Sequence, residues 1–367
     1  MQSTSLARSH IQNLKFLFPW TKHPLIVSAP MRIISGPSLA VRVSSAGGLG
    51  FIGPDAQPSD LSSALQSVKD LLSHQPNSNF TFSSYQSDLL PIGVGFQTWA
   101  GDLPIAKAIL EKTKVAVVWL FAPRHDQEEL DEWTKGVRTV SPRTQVWIQV
   151  ASVRDAVQAV RSRERPDVLV VQGADAGGHS LKQGAGIVTL LPEVADALAM
   201  LGDNVQQIPL IAAGGIIDSR GAAATLTLGA AGVAVGTRFL ASKQATISDG
   251  YQKHVLSASD GGQSTVKTQL YNHLRGTMDW PEPFDARGLA NASWKEHSEG
   301  VDFETLKARH DEALKNGKGW GEQGRTATYA GTGVGLVREV KGADDIVKEI
   351  RDGIEGVMRA AQQSLEQ

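Results

Sequence analysis

The sequence predicts an α/β protein built on a (β/α)8 TIM barrel, with a smaller, mainly helical second domain inserted after the eighth strand. Three observations carry this. Between Leu25 and Val235 eight short apolar, β-branched runs recur, each with the composition of a strand buried on both faces. Between them lie turns and stretches of helical period, the alternation that closes a parallel barrel under a ring of helices. After Phe239 this rhythm stops, and residues 242–330 show helical stretches, exposed loops and no clear strand. A doubly wound open sheet is the structural rival. It uses fewer strands and an early nucleotide fingerprint, which this chain lacks.

The strands are expected at Leu25–Ala29, Leu49–Ile52, Ile92–Phe96, Val115–Leu120, Gln145–Val150, Val168–Val171, Pro209–Ala213 and Gly232–Val235. The helices are expected at Pro37–Ser45, Ser59–Ser73, Leu103–Lys112, Gln127–Val140, Ser152–Arg163, Val188–Leu201 and Ser219–Leu228. Ser59, Asp102, Ser152 and Asp218 have the short oxygen-bearing side chains that cap a helix N-terminus. The expected division is a barrel over residues 1–241, a cap over 242–330, and a C-terminal segment, 331–367, that returns to the barrel wall through a helix at Ala343–Ala361. The cap segment is rich in aromatic residues, among them Tyr251, Trp280, Trp320 and Tyr329, and a cap over the barrel mouth would exclude water from a site there.

Composition removes several function classes. A net charge of −2 offers no basic surplus for a nucleic-acid partner. The chain has no cysteine, so disulfides, thiolate nucleophiles and Cys-ligated metals are excluded. The nine histidines lack close H-x-H or H-E-x-x-H spacing, so no metal is expected. No apolar run reaches the roughly 18 residues needed to span a bilayer. No acidic residue precedes Asp55, a bias also found in organelle transit peptides. Only Arg8 and Lys15 are basic within residues 1–18, however, and a strand begins by Leu25, so a cytoplasmic chain is expected.

In such barrels the active site gathers at the C-terminal ends of the strands. The first strand ends in Ala29-Pro30-Met31, the third near Gly95 and the fifth at Gln149. The sixth ends in Gln172-Gly173-Ala174-Asp175-Ala176-Gly177-Gly178-His179. The paired glycines allow close approach of a flat ligand, and the imidazole after them suits proton transfer near neutral pH. Ala213-Gly214-Gly215 ends the seventh strand and Gly236-Thr237 the eighth, the usual phosphate corner of this fold. Flavin mononucleotide (FMN) fits this pattern, with its phosphate at the last two strands and its ring across the first, fifth and sixth. Gly331-Thr332-Gly333-Val334-Gly335 imitates a dinucleotide fingerprint, but no βαβ unit with a downstream acid follows it.

These motifs, taken in order with Ser45-Ala46-Gly47-Gly48-Leu49-Gly50, strongly resemble the nitronate monooxygenase family, formerly called 2-nitropropane dioxygenases. The resemblance covers most of the chain. It implies FMN as cofactor and oxidation of alkyl nitronates by dioxygen to a carbonyl compound and nitrite, with nitroalkanes as further substrates in some members. It places the family's catalytic histidine on His179, as base or substrate-orienting residue. Flavin contacts would fall on Met31, Gln149, Gln172, Gly177, Gly178, Gly215, Gly236 and Thr237, with Ala29, Pro30, Gly95, Ala176, Ala213 and Gly214 beside them. Bacterial members often carry Asn where this chain has Gly95, and some carry Lys at Gln149, so the redox environment of the ring differs. The rival readings are an FMN-dependent enoyl-thioester reductase using NAD(P)H, which has a similar Gly-Gly-His loop, and a flavin- or phosphate-binding protein without catalysis. The sequence is silent on oligomeric state and on the preferred nitronate.

Overall fold

The computed structural model describes residues 2–54, 60–74, 88–202, 208–317 and 319–366. Eight parallel strands form the centre: β1 (Leu25–Ser28), β2 (Phe51–Ile52), β3 (Leu90–Gln97), β4 (Val115–Phe121), β5 (Gln145–Val150), β6 (Val168–Gln172), β8 (Leu210–Ala213) and β9 (Gly232–Val235). A further strand, β7 (Gly178–Leu181), leaves the barrel between β6 and β8. The barrel strands run in the order β1-β9-β8-β6-β5-β4-β3-β2, and a parallel bridge from Val27 to Leu49 closes the first onto the last. All eight expected strands are therefore present in one closed sheet, and the open-sheet alternative falls.

Inside and outside follow the two-residue period of a strand. Leu25 and Val27 point into the barrel, while Ile26 between them packs beneath the helices. Trp119 and Trp147 likewise face inward, between outward Val118, Leu120, Val146 and Ile148. Phe51 meets Trp119 edge-on, with ring centroids 5.2 Å apart. The helix α1 (Gln2–Leu17) and the turn after it supply Leu14, Phe18 and Trp20 to this interior, with Phe18 6.0 Å from Trp147. No expectation was attached to that N-terminal helix; its buried face plugs the barrel.

The outer helices are α2 (Pro37–Ser45), α3 (Asp60–Ser73), α4 (Leu103–Lys112), α5 (Asp126–Val140), α6 (Val153–Arg161), α7 (Ile187–Ala199) and α8 (Ser219–Thr227). Asp102, Ser152 and Asp218 each accept hydrogen bonds from amides of the first turn, as their composition predicts. Ser59 lies outside the described residues. A four-residue turn of helix, α9 (Thr237–Leu240), follows β9.

The segment after α9 departs from expectation. It carries the helices α10 (Asp249–Ser257), α11 (Gly261–Ser264), α12 (Leu270–Leu274), α13 (Ala292–Ser298) and α14 (Phe303–Lys315), yet it also holds two strands. These are β10 (Thr265–Thr268) and β11 (Phe284–Leu289), which join β7 in an antiparallel sheet ordered β10-β11-β7. The expectation of no strand in residues 242–330 is thus corrected. Apolar Phe284 and Ala286 alternate with Asp285 and Arg287, but the run is short and broken by Gly288, so the period is faint in sequence. The last helix, α15 (Ala343–Leu365), returns to the barrel against α2 and α8, burying Ile346, Val347, Ile350 and Ile354.

Candidate active site

Every residue assigned to catalysis or flavin contact from the sequence lines one cavity of 510 Å³ at the C-terminal mouth of the barrel. That volume lies within the range of small-molecule and cofactor sites, about 300–1,000 Å³. Ala29, Pro30 and Met31 enter it from the end of β1, Gly95 from β3 and Gln149 from β5. Gln172 ends β6, Ala176 and Gly177 form the following turn, and Gly178 and His179 open β7. Ala213, Gly214 and Gly215 follow β8, and Gly236 and Thr237 follow β9.

Local sterics explain several of these residue types. Gly214 and Gly215 have φ of 93° and 76°, the left-handed region that a side chain resists, so the turn after β8 turns its amides without Cβ atoms in the way. A Cβ on Gly177 would lie 2.5 Å from the backbone of Ala330 and Gly331, so only glycine admits the later chain at this point. A Cβ on Gly95 would lie 2.4 Å from the Pro30 ring, which accounts for glycine at this position. Gly331 donates its amide to Thr237 Oγ1 at 3.0 Å, and Thr332 to the Asp175 carbonyl at 3.0 Å. The Gly331–Gly335 run is therefore a 3-10 turn packed onto the glycine corner, not a nucleotide fingerprint.

Two amides in the cavity wall leave one polar atom each without a partner. Gln149 Oε1 accepts from Trp119 Nε1 at 3.1 Å, but its Nε2 is buried and unbonded among the described residues. Gln172 Nε2 reaches the His179 carbonyl at 3.5 Å, while its Oε1 is likewise unbonded. Buried polar groups are normally satisfied, so an unpaired donor and acceptor flanking one cavity mark where a ligand's polar edge belongs. A flavin ring, flat and edged with both donors and acceptors, fits these residues, and the glycine corner fits its phosphate.

His179 is held from three sides. Its ring stacks on Trp280, with centroids 3.5 Å apart and planes 5° from parallel. Its Nε2 lies 3.0 Å from Asn272 Oδ1, and the Tyr329 ring sits 5.7 Å away. Tyr329 donates its hydroxyl to the same Asn272 oxygen at 3.1 Å. Burial pushes the His179 imidazole down to about 3; the Asn272 contact opposes this, and the Arg275 and Arg32 charges add to it. The imidazole is consequently neutral throughout the physiological range. Trp99, Phe121, Trp280 and Phe284 close an aromatic wall beside it, the Trp99–Trp280 pair at 5.0 Å.

Asn272, Arg275, Trp280 and Tyr329 were not singled out from the sequence, although Trp280 and Tyr329 stand in the aromatic-rich segment noted there. They come from residues far along the chain, and β11 brings them to His179 by pairing Ala286 with it.

Comparison with known proteins decides the family. The model of the family described as nitronate monooxygenase matches residues 15–353. This chain belongs to the nitronate monooxygenase family. A relative from Metarhizium robertsii named nitronate monooxygenase is 55% identical over 358 residues, covering 97% of this chain and 98% of its own. Another nitronate monooxygenase, from Neurospora crassa, is 36% identical over 94% of this chain and 93% of its own. Among solved structures, FabK from Thermotoga maritima superposes with a TM-score of 0.70 at 26% identity, covering 96% of this chain and 98% of its own. The family is one of flavin-dependent oxidoreductases, and the barrel is its frame here. Among the described residues no helix is long and apolar enough to cross a membrane, and no group of side chains could hold a metal.

Proposed function

We propose that this protein binds FMN and oxidises alkyl nitronates with dioxygen, giving a carbonyl compound and nitrite. The observation that carries the reading is the electrostatics of the cavity: a neutral imidazole beside the Arg275 and Arg32 guanidiniums. A cationic side chain at the cavity wall favours an anionic substrate, and a nitronate is the anion of a nitroalkane. Arg275, stacked 5.6 Å over the Tyr329 ring, has its charge fixed at the cavity wall.

Gln149 Nε2 and Gln172 Oε1 would hold the polar edge of the flavin, and the Gly214-Gly215 and Gly236-Thr237 backbone its phosphate. One such corner suits the single phosphate of FMN. When bound, FMN would supply the redox chemistry, as the carrier of electrons from the nitronate to dioxygen. The chain's own residues do the rest. The aromatic wall excludes water, His179 orients the anion or takes a proton from its neutral parent, and residues 242–330 act as a lid domain carrying Asn272, Trp280 and Tyr329. A proton-poor imidazole is a weak base for an unactivated carbon acid, so pre-formed nitronates should outpace neutral nitroalkanes.

The likeness to FabK keeps one competing reading open to test, that of an enoyl-thioester reductase loaded by NAD(P)H. A nitronate is electron-rich and supplies its own electrons; a reductase needs a nicotinamide stacked within transfer distance. Anaerobic mixing in a stopped-flow spectrometer separates them. The expected result is flavin reduction by a nitronate within the turnover time, nitrite release in air without added reductant, and much slower reduction by NADH or NADPH. Rapid reduction by NADPH, with no response to any nitronate tried, would assign the reductase.

A further inference from the structure

We infer that Asn272 is a positioning residue that fixes His179 as its Nε2–H tautomer, leaving Nδ1 the only nitrogen of the resting ring able to take a proton. The assignment of the tautomer stands on geometry alone; its use in proton transfer rests on the function proposed above.

The geometry is a chain of hydrogen bonds whose direction is set at one end. The Phe284 backbone carbonyl can only accept, so the Gln269 atom 2.6 Å from it is the amide nitrogen, Nε2. Gln269 therefore turns its Oε1 toward Asn272, and the Asn272 atom 3.3 Å away is Nδ2, a donor. Asn272 is left with its oxygen facing the site, where it meets both the Tyr329 hydroxyl at 3.1 Å and His179 Nε2 at 3.0 Å. An amide oxygen accepts and never donates, so Nε2 carries the hydrogen. Tyr329 reinforces this, because burial pushes its phenol up and keeps it a donor.

The surroundings make the arrangement rigid. Asn272 is buried, only 1% exposed, on α12, which follows β10 directly; Phe284 opens β11, which pairs with the strand bearing His179. Trp280, stacked on the imidazole, fixes the plane of the ring. The residue type also matters. Aspartate would accept the same hydrogen bond but bring a negative charge that favours imidazolium; asparagine orients the ring and leaves it neutral. With a neutral nitroalkane the step is then defined. The α C–H bond breaks, its electron pair passes into the nitronate, and the proton forms a new N–H bond at Nδ1. Nε2–H stays bonded to Asn272 throughout.

The test is made on holoenzyme labelled with ¹⁵N-histidine, reading the tautomer from two-bond ¹H–¹⁵N correlations, with the His179→Asn spectrum assigning the resonance. The expected result is a single Nε2–H tautomer in the native protein, mixed with Nδ1–H in Asn272→Leu. In Asn272→Leu, kcat with a neutral nitroalkane should fall roughly ten- to a hundredfold, below the full general-base contribution of about 10²–10⁴. The loss with the pre-formed nitronate should be several times smaller, because that substrate requires no deprotonation. A native Nδ1–H tautomer would overturn the inference, whatever happens to the variants. An unchanged tautomer in Asn272→Leu, or equal losses on both substrates, would remove Asn272 from the positioning role. Absence of nitronate turnover with the Nε2–H tautomer intact would instead refute the proposed function and leave the geometry standing.

Discussion

Replacing Gln172 by methionine should move the stability of the flavin-free protein and its affinity for FMN in opposite directions. The perturbation is nearly volume-conserving, so packing changes little. Among the described residues Gln172 Oε1 is buried without a protein partner, and an orphaned acceptor costs about 1–3 kcal/mol. Against this stands only the Nε2 bond to the His179 carbonyl, which at 3.5 Å is at the long limit of hydrogen bonding. Such a contact falls at or below the low end of the usual range of about 0.5–1.5 kcal/mol. The orphan term is the larger, so Gln172→Met should leave flavin-free protein equally stable or more stable by about 1 kcal/mol. If Oε1 meets the flavin's polar edge, the bound state loses that same compensation. A loss of about 1–3 kcal/mol weakens the FMN Kd by about five- to 150-fold. Urea denaturation of flavin-free protein and fluorescence titration with FMN measure the two quantities. Lower stability without flavin together with unchanged affinity would show that Gln172 is a structural residue and that the flavin edge lies elsewhere.

Two further outcomes follow from the geometry. A Cβ on Gly236 would sit 3.6 Å from Ala29 Cβ and 3.9 Å from Met31 Sδ, ordinary contact distances, and the residue's φ is −110°. Gly236→Val should therefore fold normally while its methyl groups intrude on the phosphate corner, lowering FMN affinity by tenfold or more, on the order of 1.4 kcal/mol; unchanged flavin content in a folded Gly236→Val protein would move the phosphate elsewhere. Burial holds the His23 imidazole down at about 4, with the Lys15 charge assisting, and burial lowers His254 as well. Unfolded histidine takes up its proton as pH falls below 6.5, whereas these do so only at lower pH, so the unfolded chain binds more protons in that window. Stability is accordingly full above about pH 6.5 and is lost as pH falls toward 4. Tm should drop between pH 7 and pH 5, and His23→Leu, which removes a buried Nε2 lacking a partner, should flatten the drop; an identical slope in that variant would refute the assignment.

The barrel and its half of the site were legible because they rest on local signals. A run such as Val168–Gln172 is apolar throughout since both its faces are covered, and the residues ending each strand are by construction neighbours in a closed barrel. The other half was not legible, for a physical reason as well. Asn272 meets His179 only because β10, β11 and β7 pair across long stretches of chain, and pairing of that kind leaves no mark in a sequence window. Gly178-His179-Ser180-Leu181 reads as part of a turn through the Gly177-Gly178 pair; cross-strand partners make it a strand. The N-terminal plug escaped as well. Among the described residues, Leu14 near the end of its helix and Phe18 and Trp20 just after it are buried in the interior, with Leu17 packed against them.

That the Gly178–Leu181 strand pairs with a strand from the overlying segment has a consequence for modularity. A histidine borne on a barrel loop could be transplanted with the barrel; this one cannot. Its direction depends on the register Ala286 opposite His179, and a slip of one residue would turn the imidazole to the opposite face of the sheet. Excising residues 242–330 would therefore leave a barrel with its glycine corner intact and its histidine unaimed. Exchange of this segment between relatives should preserve activity only where the incoming strand restores that register, whatever the incoming helices look like.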